Sequence, residues 1–170
     1  MAVDYAVKES SDNCVLRLNI GPSPQIIELS SGYVFSLGVG ATLVEGKDAV
    51  LFAYGPVMLN EALTAAELLR QKDFHLKVVN MPWLNRVNVK WLRDAVGECP
   101  AICVLEDHAP VGGLGDILLN TFKRERIFEN RPFRTFGVEG YPACGTPAEA
   151  LNYHGLDGAS LATNILEVIR

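Results

Sequence analysis

From about Thr42 to the end, short apolar runs of strand character alternate with stretches whose apolar residues recur every three or four positions. That alternation constrains the fold more than any other feature. A short strand around Thr42 to Val44 turns at Glu45 to Asp48 into AVLFAYG, a run of buried-strand character ending at Gly55. In the helix expected next, Leu59, Ala62, Leu63, Ala66 and Leu69 share one face and leave Glu61, Glu67 and Arg70 toward water. HLKVVNM (His75 to Met81) gives a second long strand, and PWLNR leads from it to a helix near Val89 to Val96. AICVLED (Ala101 to Asp107) gives a third, followed by a glycine-rich turn and a helix from about Gly115 to Lys123. FRTFGVE (Phe133 to Glu139) gives a fourth, then a Pro- and Gly-rich loop, and Leu161, Ile165 and Val168 mark a closing helix. Apolar strands separated by amphipathic helices predict an α/β fold, a three-layer sandwich in which a mostly parallel sheet is covered on both faces.

The 170 residues, 49% of them hydrophobic, suffice for one such domain with a short appendage. Residues 1–13 suggest one or two turns of helix with Val3 and Val7 on one side, and CVLRLNI at Cys14 to Ile20 is strand-like. GPSPQIIELSSGY then reads as a linker. The expected organisation is a tail of another unit at 1–20, a linker at 21–32 and the domain proper at 33–170.

A net charge of −5 without a basic stripe argues against a nucleic-acid partner. Cys14, Cys99, Cys103 and Cys144 form no CxxC pair, which suggests reduced thiols in a cytoplasmic protein and no zinc site. No stretch approaches the roughly 18 apolar residues of a membrane span, and the N-terminus lacks a signal pattern.

In sheets of this kind ligands meet the carboxyl ends of the strands. Here that rim carries Gly55, Met81, Glu106 to Gly115, and Glu139 onward. The run Glu106-Asp107-His108-Ala109-Pro110-Val111-Gly112-Gly113-Leu114-Gly115 sends two carboxylates and a histidine off a buried strand and then turns on glycines into a helix start. Its free N–H groups suit a phosphate or carboxylate, or the glycines simply pack helix against strand. The candidate substrate- or anion-binding residues are therefore Glu106, Asp107, His108, Gly112, Gly113 and Gly115. His108 either orients a substrate hydroxyl and moves a proton or is a structural histidine bonded to a loop carbonyl. His75 and His154 read as surface or interface residues. Cys144 would need His108 or His154 as a base to act as a nucleophile, and the sequence shows no such setting. Met81 to Leu84, with Val89, Trp91 and Leu92, suggest packing rather than a cofactor box.

The succession GVGATLVEGKDAVLFAYGPVMLNEALTAAELL, VVNMPWLNRVNVKWL, CVLEDHAPVGGLGDILL and GVEGYPACGTPAEALNYHGLDGASL resembles the C-terminal domain of transketolase-like enzymes. That group includes 1-deoxyxylulose-5-phosphate synthase and the β subunit of 2-oxo acid dehydrogenases. AVDYAVKES followed by CVLRLNI is similar to the last helix and strand of the preceding pyrimidine-binding domain.

The resemblance implies a thiamine-diphosphate-dependent transfer of two-carbon units by a complete enzyme, in which this domain contributes dimer interface and substrate-channel wall. It implies thiamine diphosphate and Mg²⁺ in that enzyme but none in this chain. The GDG motif is approximated only by Gly115-Asp116-Ile117, and the activating glutamate belongs to the pyrimidine domain. Expected partners are the missing diphosphate- and pyrimidine-binding domains or subunit, in a homo-oligomer. Where synthases of the group carry phosphate-binding arginines, the matching positions hold Ile20 and Pro82; Arg17 and Arg86 are the nearby alternatives. The competing readings are a free-standing anion- or nucleotide-binding module using the Gly112 to Gly115 turn, and a pure oligomerisation domain.

Overall fold

The computed structural model describes residues 1–19, 23–127 and 130–169. A short helix, α1 (Ala2–Lys8), is followed by residues 9–19 and 23–40 without helix or strand. The strand expected over Cys14 to Ile20 is not formed at residues 14–19, and Ile20 lies outside the described residues. The physical reason is that a strand needs a ladder, and the five-stranded sheet gives this segment no partner.

The body runs β1 (Ala41–Val44), β2 (Ala49–Ala53), α2 (Pro56–Arg70), β3 (Leu76–Asn80), α3 (Val89–Val96), β4 (Ile102–Leu105), α4 (Leu114–Glu125), β5 (Phe133–Phe136), α5 (Pro147–Tyr153) and α6 (Gly158–Val168). The strand order is β1-β3-β2-β4-β5. β3, β2, β4 and β5 are parallel, with Leu51 opposite Val78 and Cys103 in the central register. β1 runs antiparallel on the β3 edge. A mostly parallel sheet is thus present as the alternation of elements requires.

Alternate residues of β2 enter opposite cores, because side chains in a strand point to alternating faces. Leu51 packs with α2 and α6 through Leu59, Leu69, Leu161 and Ile165. Phe52 packs on the other face with α3 and α4 through Leu92, Leu118 and Phe122. All five residues of β2 are fully buried, which explains their uninterrupted apolar run.

α2 opens on Gly55, whose φ of 72° lets the chain reverse from β2, and Pro56 takes the first helical turn, where no N–H partner is needed. α3 is capped by Asn88, whose side-chain oxygen accepts the Trp91 amide at 3.0 Å. α5 adds a seven-residue helix inside the expected Pro- and Gly-rich loop. Trp91 meets Phe52 edge-on at 6.5 Å, and Trp83 stacks on Phe35 at 4.9 Å with Tyr5 edge-on at 5.1 Å. The tryptophans are therefore packing groups, as their place in the sequence suggests.

Candidate functional site at the carboxyl rim of the sheet

β2 and β4 are neighbours, yet the chain leaves them in opposite directions: through α2 to β3 on one side and through α4 to β5 on the other. The diverging connections open a crevice between their carboxyl ends, the usual ligand position in open α/β sheets. Tyr54 and Gly55 leave β2 here, and Glu106, Asp107 and His108 leave β4.

Glu106 is fully buried. Its Oε1 accepts the Gly115 amide at 2.7 Å, and its Oε2 accepts the Leu114 amide at 3.2 Å and the Tyr54 hydroxyl at 3.0 Å. These are the first amides of α4, so the carboxylate neutralises the positive end of the helix, and the hydrogen bonds offset the cost of burying it. The anion at this helix start is supplied by the chain itself. Gly113 and Gly115 make the arrangement possible: a Cβ at 113 would fall on the Glu106 carboxylate, and one at 115 would fall on the Thr135 hydroxyl. Gly112, at φ 80°, turns the loop, and its amide donates to Asp116 Oδ2 at 2.6 Å.

His108 lies at the edge of this turn. Its Nδ1 is 2.5 Å from the Ala109 carbonyl and its Nε2 is 3.2 Å from Glu106 Oε2, so both ring nitrogens face oxygens and the ring plane is fixed. The side chain remains 41% exposed, which makes it the polar side chain of the turn most open to an incoming molecule. The six residues singled out from the sequence are all brought into one turn, but Glu106, Gly113 and Gly115 serve to build it.

Two participants come from outside the turn: Tyr54, which has no mark in the sequence, and Arg17, which the sequence offers only as a phosphate ligand. The Tyr54 hydroxyl also lies 3.2 Å from Asp107 Oδ1. Burial, and then the charges of Glu106 and Asp107, push its phenol far above the ordinary tyrosine range. Arg17 Nη1 donates to both Asp107 oxygens, at 2.7 and 2.5 Å. Arg17 is therefore engaged by a carboxylate rather than offered to a phosphate, as the alternative to the synthase arginines would require. Arg86 and Pro82 line a cavity of about 900 Å³ between the N-terminal segment and the β2 end, together with Arg17, Tyr54, Leu59 and Trp83.

Cys144 is exposed, and neither histidine considered as its base is available to it. His154 Nε2 accepts the Ala143 amide at 3.0 Å, and His108 is held against Glu106 and Ala109. His75, just before β3 at the end of the sheet opposite the rim, pairs at 3.3 Å with Asp48 of the turn before β2. Asp116, in the partial GDG match, accepts the Gly112 amide through Oδ2. Among the described residues no three His, Cys, Asp or Glu side chains assemble a metal-binding group.

A family model for the C-terminal domain of transketolase matches residues 38–161. The chain belongs to that family. As a transketolase C-terminal domain it is 28% identical over 156 residues to a subunit of the apulose-4-phosphate transketolase of Phocaeicola vulgatus, covering 91% of this chain and 48% of the relative. It is 26% identical over 134 residues to 1-deoxy-D-xylulose-5-phosphate synthase of Caldanaerobacter subterraneus, covering 78% of this chain and 21% of that protein. In structure it matches a split-gene transketolase described as an inactive beta4 tetramer, with TM-score 0.73 and 27% identity, over 83% of this chain and 45% of the other. The chain thus spans half or less of the length of these relatives. Within this transketolase C-terminal domain, the acidic rim turn is a self-capped helix start with His108 and Asp107 on its outer side.

Proposed function

We propose that this chain is the C-terminal part of a thiamine-diphosphate-dependent transferase of two-carbon units, contributing dimer interface and one wall of the substrate channel and inactive by itself. The observation that carries the reading is the family match over residues 38–161 in a chain about half as long as a relative named as a transketolase subunit. The missing diphosphate- and pyrimidine-binding domains, in the same polypeptide or a second one, supply the cofactor site and Mg²⁺, and the assembly is a homo-oligomer of the complete unit. His108 is the rim residue that meets substrate, with Asp107 beside it held by Arg17, while Glu106, Gly112, Gly113 and Gly115 hold the turn that presents it. A cytoplasmic location accords with four unpaired thiols, and no helix among the described residues is long and apolar enough to cross a membrane. The occupation of the Leu114 and Gly115 amides by Glu106 weighs against the free-standing anion-binding module.

Titration calorimetry of the chain with thiamine diphosphate and Mg²⁺ is expected to show no binding. Mixing it with the two missing domains is expected to restore ketol transfer in a cofactor-dependent assay. Micromolar cofactor affinity in the chain alone, or ketose conversion without the added domains, overturns the reading.

A further inference from the structure

The segment 13–19 lies across the rim with little to hold it. Val15 is 95% and Leu18 83% exposed, so apolar burial does not anchor it. Among the described residues its backbone makes no hydrogen bond to the α/β body. Asn19 nevertheless passes Gly55 at the end of β2, its Oδ1 about 4.0 Å from where a Cβ would stand. Two residues earlier, Arg17 reaches over the β4 end to Asp107. Asp107 is only 16% exposed and is buttressed from behind by Tyr54, which also bonds Glu106 at the α4 start.

We propose that the crevice between the ends of β2 and β4 is a guanidinium site filled by the chain's own Arg17, with Asp107 as the positioning residue that straps segment 13–19 across the rim. The chemistry of the crevice selects the occupant. Its two carboxylates repel anions, and the inner one is already engaged by two amides, a phenol and the His108 ring. What remains outward is one carboxylate aimed at a planar cation with N–H donors. The strap also forms one wall of the 900 Å³ cavity, so releasing Arg17 opens that cavity from the rim side. A partner that displaces the strap must offer a guanidinium or ammonium group of its own. The assignment is independent of what the complete enzyme transfers.

Trypsin reads the strap directly, because Arg17 must leave Asp107 before it can enter the protease's specificity pocket. Cleavage of the Arg17–Leu18 bond is compared with cleavage after Lys8 in the same digest of the chain. Asp107→Asn is expected to accelerate the Arg17 cut about threefold or more, in line with a partly exposed charge-assisted pair. The Lys8 cut stays unchanged, and Asp107→Glu slows the Arg17 cut again. Equal Arg17 cleavage in wild type and both variants overturns the proposal. Should Asp107→Asn unfold the chain, the wild type decides alone: nitrogen-15 spectra are expected to show slowed rotation of the Arg17 guanidinium, and a freely rotating group overturns it.

Discussion

The Tyr54 hydroxyl has one proton and two carboxylates within reach, Glu106 Oε2 at 3.0 Å and Asp107 Oδ1 at 3.2 Å. Losing that proton would place a third negative charge in a buried site, so burial and the two carboxylates hold the phenol protonated far above its ordinary range. A folded pKa above the unfolded one means that the native state binds the proton more strongly. The stabilisation is complete below about pH 10 and is lost as pH rises through the folded pKa. Phenolate absorbance checks this. At about pH 11, native wild type and Tyr54→Phe are expected to give the same phenolate signal, whereas their unfolded chains differ by one tyrosine. A native difference of one tyrosine would sink the assignment. Tyr54 also marks what single residues concealed: Glu106 and Asp107 stand out as polar groups at a strand end, but the phenol they share is 52 and 53 residues away in sequence. Arg17 is 90 residues from Asp107, and no local pattern links them. The glycines were legible as a turn, and the carboxylate they make room for was not.

Helix starts show which local signals are sufficient. α6 begins at Asp157, whose Oδ1 accepts the Ala159 and Ser160 amides, both at 3.1 Å, while Oδ2 accepts the Ser160 hydroxyl at 2.6 Å. Partial burial raises the Asp157 pKa, but the bonds from Ser160, Ala159 and Asn152 outweigh it and the net shift is downward. α5 begins at Thr146 with a complete capping box to Glu149 behind Pro147. That T-P-A-E signature is written in the sequence and identifies a helix where glycine and proline density suggests only loop. The opposite failure occurs at residues 14–19, where an apolar run without a pairing edge has no ladder to join. Removing the α6 cap tests the rule: Asp157→Ala is expected to cost about 1 kcal/mol in urea denaturation at neutral pH. A depressed folded pKa gives stability that is present above the unfolded value of about 4 and lost as pH falls through the folded one. The gap between wild type and variant therefore narrows in acid, and a gap independent of pH counts against the charged cap.

At the scale of the whole molecule, burial of the sheet on both faces made its architecture readable, since the two central strands, β2 and β4, had to be apolar along their full length. The same burial sorts the four thiols. Cys103 sits in the middle of β4 with no exposure, and burial pushes its thiol up to about 12; Cys99, at the foot of that strand, is also raised by burial. Cys14 and Cys144 are exposed. Because the thiolate is the reactive form and reagent must also reach the sulfur, the native chain is expected to present two thiols that react promptly with a disulfide reagent. The other two react only through opening of the cores that cover the sheet. Cys103 points into the core between the sheet and the helices α2 and α6, so it is reached only when those helices leave the sheet; its labelling follows global unfolding and accelerates with urea in proportion to the population of the open state. Cys99, at the edge of the core, opens with Cys103 or before it, never after. Mass spectrometry of pulse-labelled chain orders the two sites. Prompt labelling of Cys103 in the native chain would mean that α2 and α6 leave the sheet without unfolding, which the shared core of these three elements does not allow.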